Sequence, residues 1–304
     1  MHGSNQLVAY AFPVVALGGP LLLGLWGAVR GLTSPAPSSR GRRDWKLVFA
    51  SAFTYALAFN LIFFIQELFL VLPKATVPGL EPTLYHNNHH WQGSDPIASL
   101  YQGTGALAIL VTGCLFALWL RLAPPRSAGR RLFVLWMAFH GFFQSLPQVV
   151  VGAILPGNDV GMAMDYLALS PTAKTIAAFA ALFLMSAIGL RLTWQLLSSA
   201  GARSDIDSPG KRTSFVFFTG TLPALIGILL ILPCRVPGSI DQVVLVPVFV
   251  AIIGMAWIQA GAWRLYGAPA GDTRPVQRVR EPAFWLLVVF TIFQLVLRPG
   301  IPFF

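Results

Sequence analysis

Long apolar runs separated by short polar stretches set the pattern of the chain. They fall at 7–29, 47–72, 97–120, 132–155, 173–197, 214–233, 243–263 and 282–302. Most reach the ~20 residues that a helix needs to cross a ~30 Å hydrocarbon core. In lipid every backbone N–H and C=O must be satisfied within the spanning segment, so helices are the predicted form. Arg191 interrupts the fifth run and Arg298 the eighth, each near an end where a long side chain can reach the interface. The pattern predicts an all-α integral membrane protein, with residues 1–304 forming a single polytopic domain of about eight transmembrane helices. No Lys or Arg precedes the first run, and Ala-Val-Arg after it is a poor cleavage site, so that run is expected to be retained.

The polar stretches give an orientation. One connection carries Arg30, Arg40, Arg42, Arg43 and Lys46, and the next but one carries Arg121, Arg126, Arg130 and Arg131. Arg191, Arg203, Lys211 and Arg212 follow in the third such region, and Arg264, Arg274, Arg278 and Arg280 in the fourth. Only Lys74, Lys174, Arg235 and Arg298 remain of the 21 basic residues for the other side. The positive-inside rule puts the arginine-rich connections in the cytoplasm and both termini outside. A bacterial inner membrane, with the chain N-out and C-out, is the expected location.

Composition agrees. The chain is 56% hydrophobic and 11% charged, with a mean hydropathy of +0.68. Soluble domains carry about 25% charged residues. The net charge of +10 follows the topology, so membrane lipids are the expected partners of the basic loops and nucleic acid is not. Cys114 and Cys234 lie within or at the end of apolar runs and read as unpaired packing residues.

Unusual chemistry collects on the expected outer side. The longest outer connection, 73–96, contains Tyr85-His86-Asn87-Asn88-His89-His90-Trp91, with three of the five histidines of the chain. Pro82 suits a first helical position and Gly93 a position just past a helix end. A short helix over 82–92 is therefore predicted, with His86, His89 and His90 at i, i+3 and i+4 on one face. Imidazoles at that spacing suit a transition metal, with Zn first, then Fe or Cu. Glu67 is the only carboxylate inside a span, and an intramembrane carboxylate is a functional candidate by default. In the fourth span His140, Gln144 and Gln148 recur at i, i+4 and i+8 as a polar stripe. Asp159 follows in the Pro-Gly-Asn-Asp turn after that span. Contact between the second and fourth spans would unite these groups.

The string His86-Asn87-Asn88-His89-His90 resembles the HxxHH histidine box of membrane fatty-acid desaturases and hydroxylases. That resemblance implies a di-iron oxygenase acting on lipid. It covers five residues; those enzymes need more histidines, in several boxes that face the cytoplasm. No HExxH, P-loop, GxSxG or CxxC arrangement is present.

The residues point to a membrane-embedded, metal-dependent enzyme, hydrolytic in the simplest form, acting on a lipid-like substrate at the outer face. His86, His89 and His90 would be ligands, with Glu67, Asp159 and His140 as the catalytic candidates. A transporter or channel with a polar path through the second and fourth spans is one alternative. A non-catalytic subunit that binds a cofactor or protein partners in a membrane complex is another.

Overall fold

A computed structural model describes residues 3–32, 44–268, 273–276 and 278–304; Arg40, Arg42 and Arg43 of the first basic loop lie outside them. Among the described residues, eight helices are long and apolar enough to cross a membrane. They are α1 (Gln6–Arg30), α2 (Trp45–Val71, continued by a 3-10 turn at Lys74–Thr76), α3 (Ile97–Leu122) and α4 (Ala128–Ile154). A short helix, α5 (Asp159–Tyr166), precedes α6 (Pro171–Leu197), α7 (Pro209–Arg235), α8 (Asp241–Arg264) and α9 (Arg280–Leu297).

The helices α2 and α4 form the centre of the bundle, with most of their residues buried. Tyr55, Phe59 and Ile62 of α2 and Trp136, Phe139 and Phe143 of α4 are fully buried. Asp44 caps the start of α2, accepting from the backbone N–H of Lys46 and Leu47 at 2.9 and 3.3 Å. Small residues let α3 close on α4: a side chain at Gly141 would meet the Gly113 backbone at 2.5 Å. The outer helices turn large apolar side chains outward, such as Leu21 and Leu25 of α1 and Leu115 of α3. Those rows are stable only against lipid.

The 73–96 connection corrects one expectation. Residues 82–92 form a β-hairpin instead of a short helix. Strand β1 (Glu81–Leu84) pairs antiparallel with β2 (His89–Gln92), and β3 (Ile301–Pro302) adds to the other edge of β1. The Asn87-Asn88 pair makes the turn, as these residues commonly do. Tyr85 N–H donates to the Asn88 carbonyl at 2.8 Å, and the Asn88 side chain accepts from His89 N–H at 2.8 Å. Gly93, at φ +107°, closes the loop in a conformation that suits glycine; a side chain there would strike the Gly79 carbonyl. The strand period of two replaces the helical 3.6. His89 and Trp91 therefore face the bundle, whereas His90 and Gln92 face away.

The sheet covers one end of the bundle, called the hairpin end below. The other end, where Arg30, Arg130, Arg131 and Arg264 lie, is the arginine end. The hairpin is fixed to α7 through Asn87, whose Nδ2 donates to the carbonyls of Arg235 and Pro237 at 2.9 and 2.8 Å.

Candidate acid–base site

Glu67 sits about one turn before the hairpin-end terminus of α2, and its side chain is 6% exposed. Its Oε2 lies 2.8 Å from Nδ1 of His89, the first residue of β2. Nε2 of His89 lies 3.0 Å from Oε1 of Gln102 in the second turn of α3. Lys74, just beyond α2, is completely buried. Its Nζ donates to Oε1 of the same Gln102 at 3.0 Å and to the Leu70 carbonyl at 2.8 Å. The ammonium also stands 4.6 Å from the ring centre of Trp91, a cation–π contact. Trp91 in turn stacks on His89, with ring centres 5.8 Å apart and planes 11° apart.

The donors and acceptors in this chain constrain where its protons sit. A lysine ammonium can only donate, so the Gln102 atom facing it is the carbonyl oxygen. That oxygen can only accept, so Nε2 of His89 carries a hydrogen. One proton is then left for the 2.8 Å contact between Nδ1 and the Glu67 carboxylate. The pair exists as imidazolium with carboxylate or as imidazole with carboxylic acid, and the two forms differ only in the position of that proton. Oε1 of Glu67 has no hydrogen-bond partner among the described residues.

Asp159 is the first residue of α5. Asn158 caps that helix, accepting from Val160 N–H at 3.3 Å, which leaves the Asp159 carboxylate without a capping task. Burial holds the Asp159 carboxyl above the usual carboxylate range. The charge of Glu67 adds to the rise, and the cations at His89 and Lys74 oppose it. Those mutual effects place Asp159 within electrostatic reach of the Glu67–His89 pair. The guanidinium of Arg235, also within reach of Glu67, lies over Phe63 at 4.0 Å and donates from Nε to the Gln242 carbonyl at 2.6 Å.

The structure thus brings Glu67 and His89 into contact, leaves Asp159 near them without a direct bond, and places the other three candidates elsewhere. His90 pairs with Thr83 across the hairpin and is exposed. His86 is buried in the turn beside the Arg235 and Pro237 carbonyls, which Asn87 already occupies, and neither of its ring nitrogens makes a hydrogen bond among the described residues. Burial, reinforced by the charges of Arg235 and Arg298, pushes the His86 pKa down against the pull of those carbonyls, which favours the neutral ring. His140 is fully buried among the rings of Tyr55, Phe59 and Phe139, at 4.4, 5.3 and 5.0 Å. The three-histidine face expected from a helix is not formed, because the strand turns His89 and His90 to opposite sides. Among the described residues no group of three or more His, Cys, Asp or Glu is arranged to hold a metal ion.

The second and fourth spans do touch. Gln148 Nε2 on α4 donates to Gln66 Oε1 on α2 at 2.9 Å, and Gln144 Nε2 reaches the Phe59 carbonyl at 3.4 Å. Deeper along the same seam, Tyr55 Oη, Asn60 Oδ1, Gln144 Oε1 and both His140 nitrogens are buried without partners among the described residues. His140 lies eight residues from Gln148, ~12 Å along the helix.

Lys74, Gln102 and Trp91 complete the site and were not among the sequence candidates. The signal for Lys74 was available: it is one of only four cations on the charge-poor side, seven residues after Glu67 and on nearly the same helical face. No protein-family model, curated protein or solved structure matches this chain.

Proposed function

We propose that this chain is an integral membrane hydrolase acting on a lipid-like substrate, with the Glu67–His89 pair as its acid–base centre. The reading takes both termini and the hairpin end as extracytoplasmic, as the placement of the basic residues supports. The observation that carries it is the 2.8 Å contact between Glu67 and His89, in which the Gln102 and Lys74 contacts leave one proton to be shared. Oε1 of Glu67 takes a proton from an attacking water while the water oxygen bonds to the substrate carbonyl or phosphoryl centre. The bond to the leaving oxygen breaks as that oxygen takes a proton from the acid form of Asp159, the form that burial favours. Two carboxyl groups held in different environments are a recurrent basis for dividing acid and base roles. A site one helical turn from the end of a spanning helix suits an amphiphile, since the substrate need not leave the bilayer. His86, His90 and His140 have no part in this reaction.

The test is turnover by the full-length protein in detergent, supplied with total bacterial lipid extract and followed by mass spectrometry of the lipids. The wild type should consume at least one lipid species. Glu67→Gln and Asp159→Asn should each reduce that rate by about 100-fold or more, the range for loss of general acid or base catalysis. Equal turnover by wild type and Glu67→Gln would refute the reading.

A second reading draws on the unpartnered polar atoms of the α2–α4 seam. Polar groups that continue inward from Gln66 and Gln148 suit a proton or small-solute path. Its test is flux in sealed proteoliposomes: Gln144→Leu should abolish flux if the seam conducts, and equal flux in empty vesicles would end this alternative.

A further inference from the structure

A separate cavity opens at the arginine end, between α2, the start of α4 and α9, with a volume of about 710 Å³. Its α2 wall runs from Ala50 to Leu61, which is ~16 Å of depth at 1.5 Å per residue. Glu67 lies beyond the far end of that wall, so the cavity is distinct from the acid–base site. The deep lining is apolar, with Leu57 and Leu61 on α2 facing Val289 on α9. The mouth is cationic, with Arg130, Arg274 and Arg278 around it and Glu281 as the one acid.

Arg130 lies on α4, and Arg274 is held against the start of that helix. The Arg274 N–H donates to the Arg126 carbonyl at 2.7 Å, and Ala128 N–H donates to the Arg274 carbonyl at 3.0 Å. Thr273 Oγ1 donates to the Ser198 carbonyl at 3.1 Å, fixing the same segment to the end of α6. The segment is thereby clamped to the start of α4. None of the three guanidinium groups meets an acceptor among the described residues, so their donors are available to a ligand. Ser127 makes no side-chain cap on α4, and the first turn of that helix, at Gly129 and Arg130, faces the cavity. Ala128 N–H is taken by the Arg274 carbonyl, and the Gly129 and Arg130 N–H groups add positive potential to that of the side chains.

We propose that this cavity binds an anionic phospholipid, with its phosphate on Arg130, Arg274 and Arg278 and an acyl chain along the Leu57–Leu61 wall. Cationic pockets between transmembrane helices at the arginine-rich side are a known physical solution for acidic headgroups. The apolar depth is what separates a lipid from free phosphate, which has no use for it. With Glu281 counted, the mouth is still net positive by two charges, which favours an anionic headgroup over a neutral zwitterion.

The experiment is native mass spectrometry of the full-length protein in neutral detergent after lipid removal. The probes are dioleoyl phosphatidic acid, dioleoyl phosphatidylcholine and inorganic phosphate. Phosphatidic acid should bind at least tenfold more tightly than phosphatidylcholine. Each of Arg274→Gln and Arg278→Gln should weaken it about fivefold, and Arg203→Gln, on a different exposed loop, should leave it unchanged. Leu61→Trp, which fills the depth and leaves the arginines in place, should also lose phosphatidic acid. Because the three arginines make no side-chain bonds, their variants should remain monodisperse. Equal affinity for the two lipids, or arginine and Leu61 variants that bind as the wild type does, would overturn the proposal. So would inorganic phosphate displacing phosphatidic acid at matched concentration, since it would show a site for the phosphate alone.

Discussion

Replacing Glu67 and His89 by Gln, singly and together, probes the buried pair. Both side chains are 6% exposed and their contact is 2.8 Å. Hydrogen bonds to charged groups contribute about 1.5–3 kcal/mol, against about 1 kcal/mol for neutral ones. Glu67→Gln keeps the size and a neutral hydrogen bond, so it should cost about 1–2 kcal/mol. It also leaves His89 without its anionic partner, which adds to that cost if the ring stays charged. His89→Gln should cost more, because Gln102 and Trp91 lose a partner as well. The double variant isolates the contact itself. A coupling of about 1.5–3 kcal/mol is expected from unfolding in mixed micelles, measured as the difference between the double change and the sum of the singles. Additivity within about 0.5 kcal/mol would mean that the two residues do not share a proton, and the acid–base centre would lose its basis.

Two further outcomes follow from other parts of the molecule. Burial raises the Asp159 pKa above its unfolded value, so the folded protein holds a proton that the unfolded chain has released. Its stability contribution is present at low pH and is lost as pH rises through the folded pKa, so the stability of Asp159→Asn relative to wild type should increase with pH across that window. A flat difference in thermal midpoints across the range would contradict the burial of this carboxyl. In a Cys114→Ala background, a cysteine at Ser94 should react with a membrane-impermeant maleimide in intact cells, and one at Ser204 only after lysis; labelling of both in intact cells would reverse the assigned orientation.

The spanning helices were legible because lipid imposes a single rule on every segment, and apolar length alone satisfies it. The union of the second and fourth spans was legible in part. Gln144 and Gln148 share a helical face, and a polar face within lipid needs a partner, which Gln66 and the Phe59 carbonyl supply. The hairpin was not legible in the same way. His86, His89 and His90 fit a helical face as well as they fit a turn and strand, and Pro82 and Gly93 suit either. The arrangement is decided by two distant events: pairing of Leu84 with Ile301, more than two hundred residues away, and seating of Asn87 on the end of α7. No local pattern encodes either. Glu67 and Asp159 stood out as acids near apolar segments. Gln102 did not, because one amide in the first turns of a span is ordinary until a histidine and a lysine are found on the same oxygen.

The account of the site rests on the claim that Lys74 fixes Gln102 and so leaves one proton between Glu67 and His89. Nitrogen-15 NMR of histidine-labelled protein in lipid bilayers tests it directly, with His89 assigned by subtraction of the His89→Gln spectrum. The account predicts a protonated Nε2 at pH 7 and an Nδ1 whose shift moves between the protonated and bare values when Glu67 is changed to Gln. In Lys74→Met, Gln102 is free to turn its amide toward His89, and Nε2 should lose its proton. A wild-type His89 with a bare Nε2 and a fully protonated Nδ1, unchanged by either substitution, would contradict it.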